Sequence, residues 1–172
     1  MKIDTLLNDK TLKAKQKTET LSKWLLEKKI STKKIIEFAQ ASNDSQKATC
    51  IEAFELATKQ NPSIVNEKCL QFVTNSLTDK APRVKWESAK VIGNIANLFP
   101  TKLDKAISNL LINTEYDGTV VRWAAAFALG EILKLKTKHN KDLLPAIEAI
   151  SLKEEDNAIK KKYFEAIKKT MK

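Results

Sequence analysis

Apolar residues recur at intervals of three and four along most of the chain, the spacing that lines one face of an α-helix. The pattern predicts four first helices, over 18–29 (Leu21, Trp24, Leu25), 44–58 (Ala48, Ile51, Phe54), 81–95 (Val84, Val91, Ile92) and 121–132 (Val121, Ala125, Leu129). Each is followed by a break and a second helix, over 31–41, 63–77, 103–111 and 143–150. A last helix is predicted over 157–171, carrying Ile159, Tyr163, Phe164 and Ile167. The breaks have local causes. Proline interrupts helices at Asn61-Pro62 and Pro100-Thr101, and Thr101 is placed to cap the next helix, with Asp104 suited to its positive end. Pro145 is expected in the first turn of its helix, where a missing N–H is tolerated. About nine helices are expected in one domain over residues 1–172, with repeats near 10–43, 44–78, 79–115 and 117–153 and a closing helix at 157–171.

Two of the first helices are copies. Val84-Lys85-Trp86 recurs thirty-seven residues later as Val121-Arg122-Trp123, and Ala89, Gly93 and Ile95 return in register at Ala126, Gly130 and Ile132. Recurrence at this period marks a helical repeat. The run Asp117 to Ile132 resembles the first-helix signature of the HEAT-repeat family. It has an Asp in the turn, a Val-Arg pair, alanines, then Leu129-Gly130 with a following Ile. Asp79, Val84-Lys85 and Gly93 repeat it with Lys for Arg, whereas Asp44-Lys47 and Asp156-Lys160 keep fragments only. The resemblance covers about residues 79–133. It implies an all-α, right-handed α-solenoid of stacked antiparallel helix pairs, with a concave surface that takes proteins, peptides or nucleic acid. It also implies a ladder between neighbouring repeats, which here would use Asp79, Asp117, Lys85 and Arg122. It implies no activity, because function resides in the site and not in the fold.

Composition narrows the function classes. With 3 Gly and 4 Pro, the chain lacks the glycine that phosphate loops and sheet turns consume. An acid at position 4 and no long apolar run argue against a secretory signal, and no charge-free stretch is long enough to span a bilayer. A cytoplasmic protein is the simplest expectation. Cys50 and Cys69 lack metal-ligand spacing and His139 is the only histidine, so no metal and no cofactor are expected and both thiols are read as reduced structural residues. The formal charge of +10 makes nucleic acid, anionic lipid and acidic protein candidate partners. Residues 1–43 and 118–172 each carry a net +5, leaving the middle near neutral.

The candidate site residues admit two readings each. Trp86 and Trp123 are either exposed stacking platforms or wedges between repeats. The stripes Trp86, Ala89, Gly93, Ala96 and Trp123, Ala126, Gly130, Leu133 fit the wedge better, because glycine there lets a neighbouring helix come close. Lys85 and Arg122 are ladder residues or ligand contacts, and an arginine already paired is a poor phosphate contact. Lys134 and Lys138, and the run Lys160, Lys161, Lys162, are phosphate contacts or a solvated face.

The expected function is a non-enzymatic interaction or scaffolding module that binds a protein partner on the concave surface, through second-helix residues such as Asn66, Glu67, Lys105 and Asn109. The alternative is nucleic-acid binding through the basic terminal helices. A less favoured alternative is a HEAT-like alkylpurine DNA glycosylase, which the tryptophans and charge suggest but for which no Trp-Trp-Asp segment is present.

Overall fold

The computed structural model describes residues 2–172, so Met1, the first residue of the expected domain, lies outside them. Ten α-helices follow one another: α1 Ile3–Asn8, α2 Ala14–Leu26, α3 Thr32–Gln40, α4 Asp44–Gln60, α5 Glu67–Ser76, α6 Pro82–Ile95, α7 Asp104–Asn113, α8 Thr119–Lys134, α9 Asn140–Lys153 and α10 Asn157–Met171. There is no strand among the described residues. The helix beyond the nine expected is α1, whose six residues are too few for periodicity to reveal.

Side-chain caps set several boundaries. The side chains of Ser31, Asn43, Asn66 and Asp156 accept backbone N–H groups at the starts of α3, α4, α5 and α10. Three details differ from expectation. The segment after Asn61 makes a 3-10 turn over Pro62–Ile64 before α5 begins. Thr101 does not cap α7, which starts at Asp104 after Leu103 with no side-chain cap. Pro145 sits in the second turn of α9, because that helix begins earlier, at Asn140.

The helices form two parallel rows. Hydrogen bonds between helices of the same row run in register: Thr18 in α2 to Glu52 in α4, Asn94 in α6 to Thr58 in α4, Asn109 and Asn113 in α7 to the Thr74 and Leu77 carbonyls at the end of α5. The last two satisfy carbonyls that a helix C-terminus leaves open. Helices α2, α4, α6, α8 and α10 make one row and α3, α5, α7 and α9 the other, with α1 against α2 and α3. The short connections make successive helices antiparallel. Buried apolar side chains run continuously from Ile3 in α1 to Ala166 in α10.

Members of the α2–α10 row pack more closely than those of the α3–α9 row. Small residues allow it. Ala124, Ala125, Ala126 and Ala128 of α8 are all buried, and a Cβ built on Gly130 would stand 3.0 Å from that of Ala166 in α10. A stack with one tighter row bends toward it, so the first-helix row lines the concave side. This corrects the expectation that the second helices do. Asn66, Glu67, Lys105 and Asn109 lie on the outer row, and their polar groups are used within the stack: Asn66 caps α5, Glu67 pairs with Lys102, Lys105 bonds Asn75 and Asn109 bonds the Thr74 carbonyl.

Candidate interaction face

Four of the inner helices, α4, α6, α8 and α10, bring aromatic and charged side chains to one face. On α6, Trp86 is half-buried and donates its indole N–H to the Glu87 carboxylate at 3.0 Å. Glu87 is only 4% exposed and lies 3.2 Å from Lys90, which also stands 4.0 Å from Glu55 of α4. Burial pushes the Glu87 carboxyl above its usual range, and Lys90 and the Trp86 N–H offset this only in part. Beside them Arg83 bonds Glu52, which also accepts the Thr18 hydroxyl. On α8, half-buried Trp123 and Phe127 stack with centroids 5.9 Å apart and planes 10° apart. Lys162 of α10 reaches over the Trp123 ring at 5.3 Å, and Glu131 bonds Lys134.

The tryptophans thus combine the two readings offered for them. Each packs on the core yet keeps part of its ring on the concave face. The glycine stripe faces the next repeat: a Cβ on Gly93 would fall 2.4 Å from the Phe127 ring.

The ladder exists, but with different rungs. Lys47 of α4 pairs with Asp79 at 2.7 Å, and Arg122 of α8 grips Glu154 through Nε and Nη2 at 3.0 and 3.2 Å. Each base reaches the turn acid thirty-two residues on, in the next repeat. Asp117 occupies the corresponding place for Lys85, but Lys85 instead bonds the Leu77 carbonyl at 3.2 Å and sits 5.6 Å from the Tyr116 ring centre. Of Asp117, Arg122 takes only the main-chain carbonyl, at 2.7 Å, beside that of Tyr116 at 3.0 Å. Burial pushes the Asp79 and Glu154 carboxyls up, but the cations and neighbouring backbone N–H groups outweigh it and hold both below the ordinary range. Lys85 and Arg122 are therefore engaged inside the stack.

The other lysines separate in space. Lys138 is exposed on the α8–α9 turn, whereas Lys160 to Lys162 lie on α10, Lys161 within 4.0 Å of Glu165. Sequence spacing did not single out Glu52, Glu55, Glu87, Phe127 or Glu154. For Glu154 a signal was available, because Lys47 and Asp79 have the same thirty-two-residue spacing.

Among the described residues no group of three or more His, Cys, Asp or Glu is placed to hold a metal. Cys50 and Cys69 are buried and unpaired; burial pushes the Cys50 thiol up to about 12 and raises that of Cys69 as well. His139 stands 3.8 Å from Asp104, and Ser108 lines the same groove between α7 and α9. The Ser108 hydroxyl donates to the Asp104 main chain, and the buried His139 Nε2 has no partner, so no nucleophile–base pair forms. No helix is long and apolar enough to cross a membrane among the described residues.

No protein-family profile matches the chain, and no curated protein does. Solved structures do. A designed armadillo repeat protein superposes with a TM-score of 0.70 at 16% identity, covering 98% of this chain and 80% of its own. An engineered protein does so with a TM-score of 0.65 at 17% identity, covering 98% and 78%. At these identities the likeness concerns the fold alone. The chain is an all-helical repeat solenoid.

Proposed function

We propose that the solenoid is a non-catalytic interaction module that holds a protein partner on its concave face, and that it belongs with the HEAT-type repeats its central pattern resembles. The observation that carries this reading is the line of half-exposed Trp86, Trp123 and Phe127 on adjacent inner helices, bordered by paired charges. Aromatic anchors within a polar rim are the usual make-up of a protein–protein contact. The same face suits nucleic acid poorly. Glu52, Glu55, Glu87 and Glu131 line it, and Arg83, Lys90 and Lys134 are already committed to them. Those carboxylates are also bonded to cations or to the Trp86 N–H, which leaves none free for the glycosylase chemistry. Two unpaired buried thiols are in keeping with the cytoplasm as its compartment.

Position-dependent crosslinking tests the reading. A photoreactive residue at 131 or 162 on the inner face is expected to capture one partner in cells, and Trp86→Ala or Trp123→Phe is expected to abolish that band. The same residue at 71 or 108 on the outer row should capture nothing. Equal capture from both rows, or capture from the outer row alone, would overturn it.

A further inference from the structure

The antiparallel alternation of helices has an electrostatic result that no single segment reveals. Every inner helix ends, and every outer helix after α1 begins, along the same edge of the solenoid. That edge gathers segments 27–34, 59–68, 97–105, 134–142 and 168–172, which carry fifteen lysines against four carboxylates. The rest of the chain has sixteen basic residues against seventeen acidic ones. The net positive charge therefore belongs to one edge, which draws four lysines from residues 1–43, seven from residues 118–172 and four from between them. Fourteen of the fifteen lysines are exposed. Only Lys29, Lys33, Lys102 and Lys134 have a carboxylate within 4.0 Å among the described residues. Helix dipoles do not produce this field, because inner C-termini and outer N-termini meet at the edge and oppose each other. The lysines do.

We propose that this edge binds the phosphate backbone of a nucleic-acid duplex without regard to sequence. Five inner helices at roughly 8–10 Å spacing make a track of about 30–40 Å. A duplex offers one charge per roughly 1.7 Å along such a length. Three observations favour the duplex over other polyanions. The charge is strung along a line of turns and does not cover a broad face. The edge's one phenyl ring, Phe99, is half-buried, so there is no row of rings on which successive single-stranded bases could stack. Its exposed large apolar side chains are Leu98 and Met171 only, too few to insert into a bilayer. Only Lys134 is shared with the concave face and the variants below leave it in place, so the inference stands or falls independently of the protein-binding reading.

The test is fluorescence anisotropy of a labelled 20-base-pair DNA duplex with the full chain, from about 20 to 200 mM salt. The edge variant combines Lys28→Glu, Lys34→Glu, Lys136→Glu and Lys138→Glu. The control, with the same change in net charge on the opposite edge, combines Lys10→Glu, Lys13→Glu, Lys80→Glu and Lys153→Glu. All eight lysines are exposed, and circular dichroism verifies that both variants fold. The wild-type protein is expected to bind at low salt with log affinity falling steeply against log salt. The edge variant should lose at least about thirty-fold and flatten that slope by about three to four, near 0.9 for each phosphate no longer neutralised. A set of Lys→Gln changes at the same edge positions should give a smaller loss in the same direction. The control should stay within about threefold, since screening limits distant charges. No binding at 20 mM salt, equal losses in both variants, or binding to vesicles containing phosphatidylserine without binding to the duplex would each overturn the proposal.

Discussion

Arg122→Met tests the tie between the last two repeats. The substitution keeps the apolar stem and removes the guanidinium that bonds both Glu154 oxygens and the Tyr116 and Asp117 carbonyls, at 2.7 to 3.2 Å. Glu154, 8% exposed, would keep only the backbone N–H groups of Glu155 and Asp156. Breaking a buried ion pair costs about 3–5 kcal/mol, and an exposed pair is worth about 0–1. Here the carboxylate is buried while the Arg122 side chain is 19% exposed, which places the loss at about 2–4 kcal/mol. At roughly 2–4 °C per kcal/mol for a chain of this size, Tm should fall by about 5–15 °C. Thermal and urea unfolding followed by circular dichroism at 222 nm reads it, with an unchanged m-value excluding a change in the unfolded state. The loss must also depend on pH. The Glu154 carboxyl is held below its ordinary range, so its contribution is complete above the unfolded pKa of about 4.3 and disappears as pH falls through the folded value. The gap between wild type and variant should therefore narrow below about pH 4.3. Glu154→Gln in the Arg122→Met background should cost much less than in wild type. A loss under about 1 kcal/mol at pH 7, or one that persists unchanged in acid, would refute the account.

Three further outcomes are expected from the packing. Gly93→Ala should destabilise by about 1–2 kcal/mol although alanine is the better helix former, because its Cβ would meet the Phe127 ring; in a Phe127→Ala background the same change should stabilise, and a Tm rise in the wild type would count against the close approach. Lys136→Gly should raise stability by about 0.5–1 kcal/mol, since Lys136 holds φ 55 just past α8, while Lys136→Ala should give no gain; denaturant midpoints distinguish the two. Trp123→Ala should cost about 2–4 kcal/mol, below the range for a fully buried ring because part of it faces solvent; a change near zero would mean that its packing on the core contributes nothing.

Nine of the ten helices, their alternation and the central repeat are legible in the chain alone. Those depend on information within one or two turns of chain: the spacing of apolar residues, the prolines at 62, 82 and 100, and the Val-base-Trp recurrence at thirty-seven residues. The sequence offered a ladder as one of two roles for Arg122, and a wedge between repeats as one of two for Trp123. It could not name the partners. Which acid meets Arg122 depends on how far each repeat advances before the next packs on it, and that offset places Glu154 there and leaves Lys85 on Tyr116. Which row lines the concave side depends on the relative spacing of two rows, set by buried alanines and by Gly93 and Gly130 only once the helices are stacked. The lysines, too, looked like two basic ends in linear order. Antiparallel stacking, which returns the chain to the same edge after every second helix, gathers fifteen of them into one line.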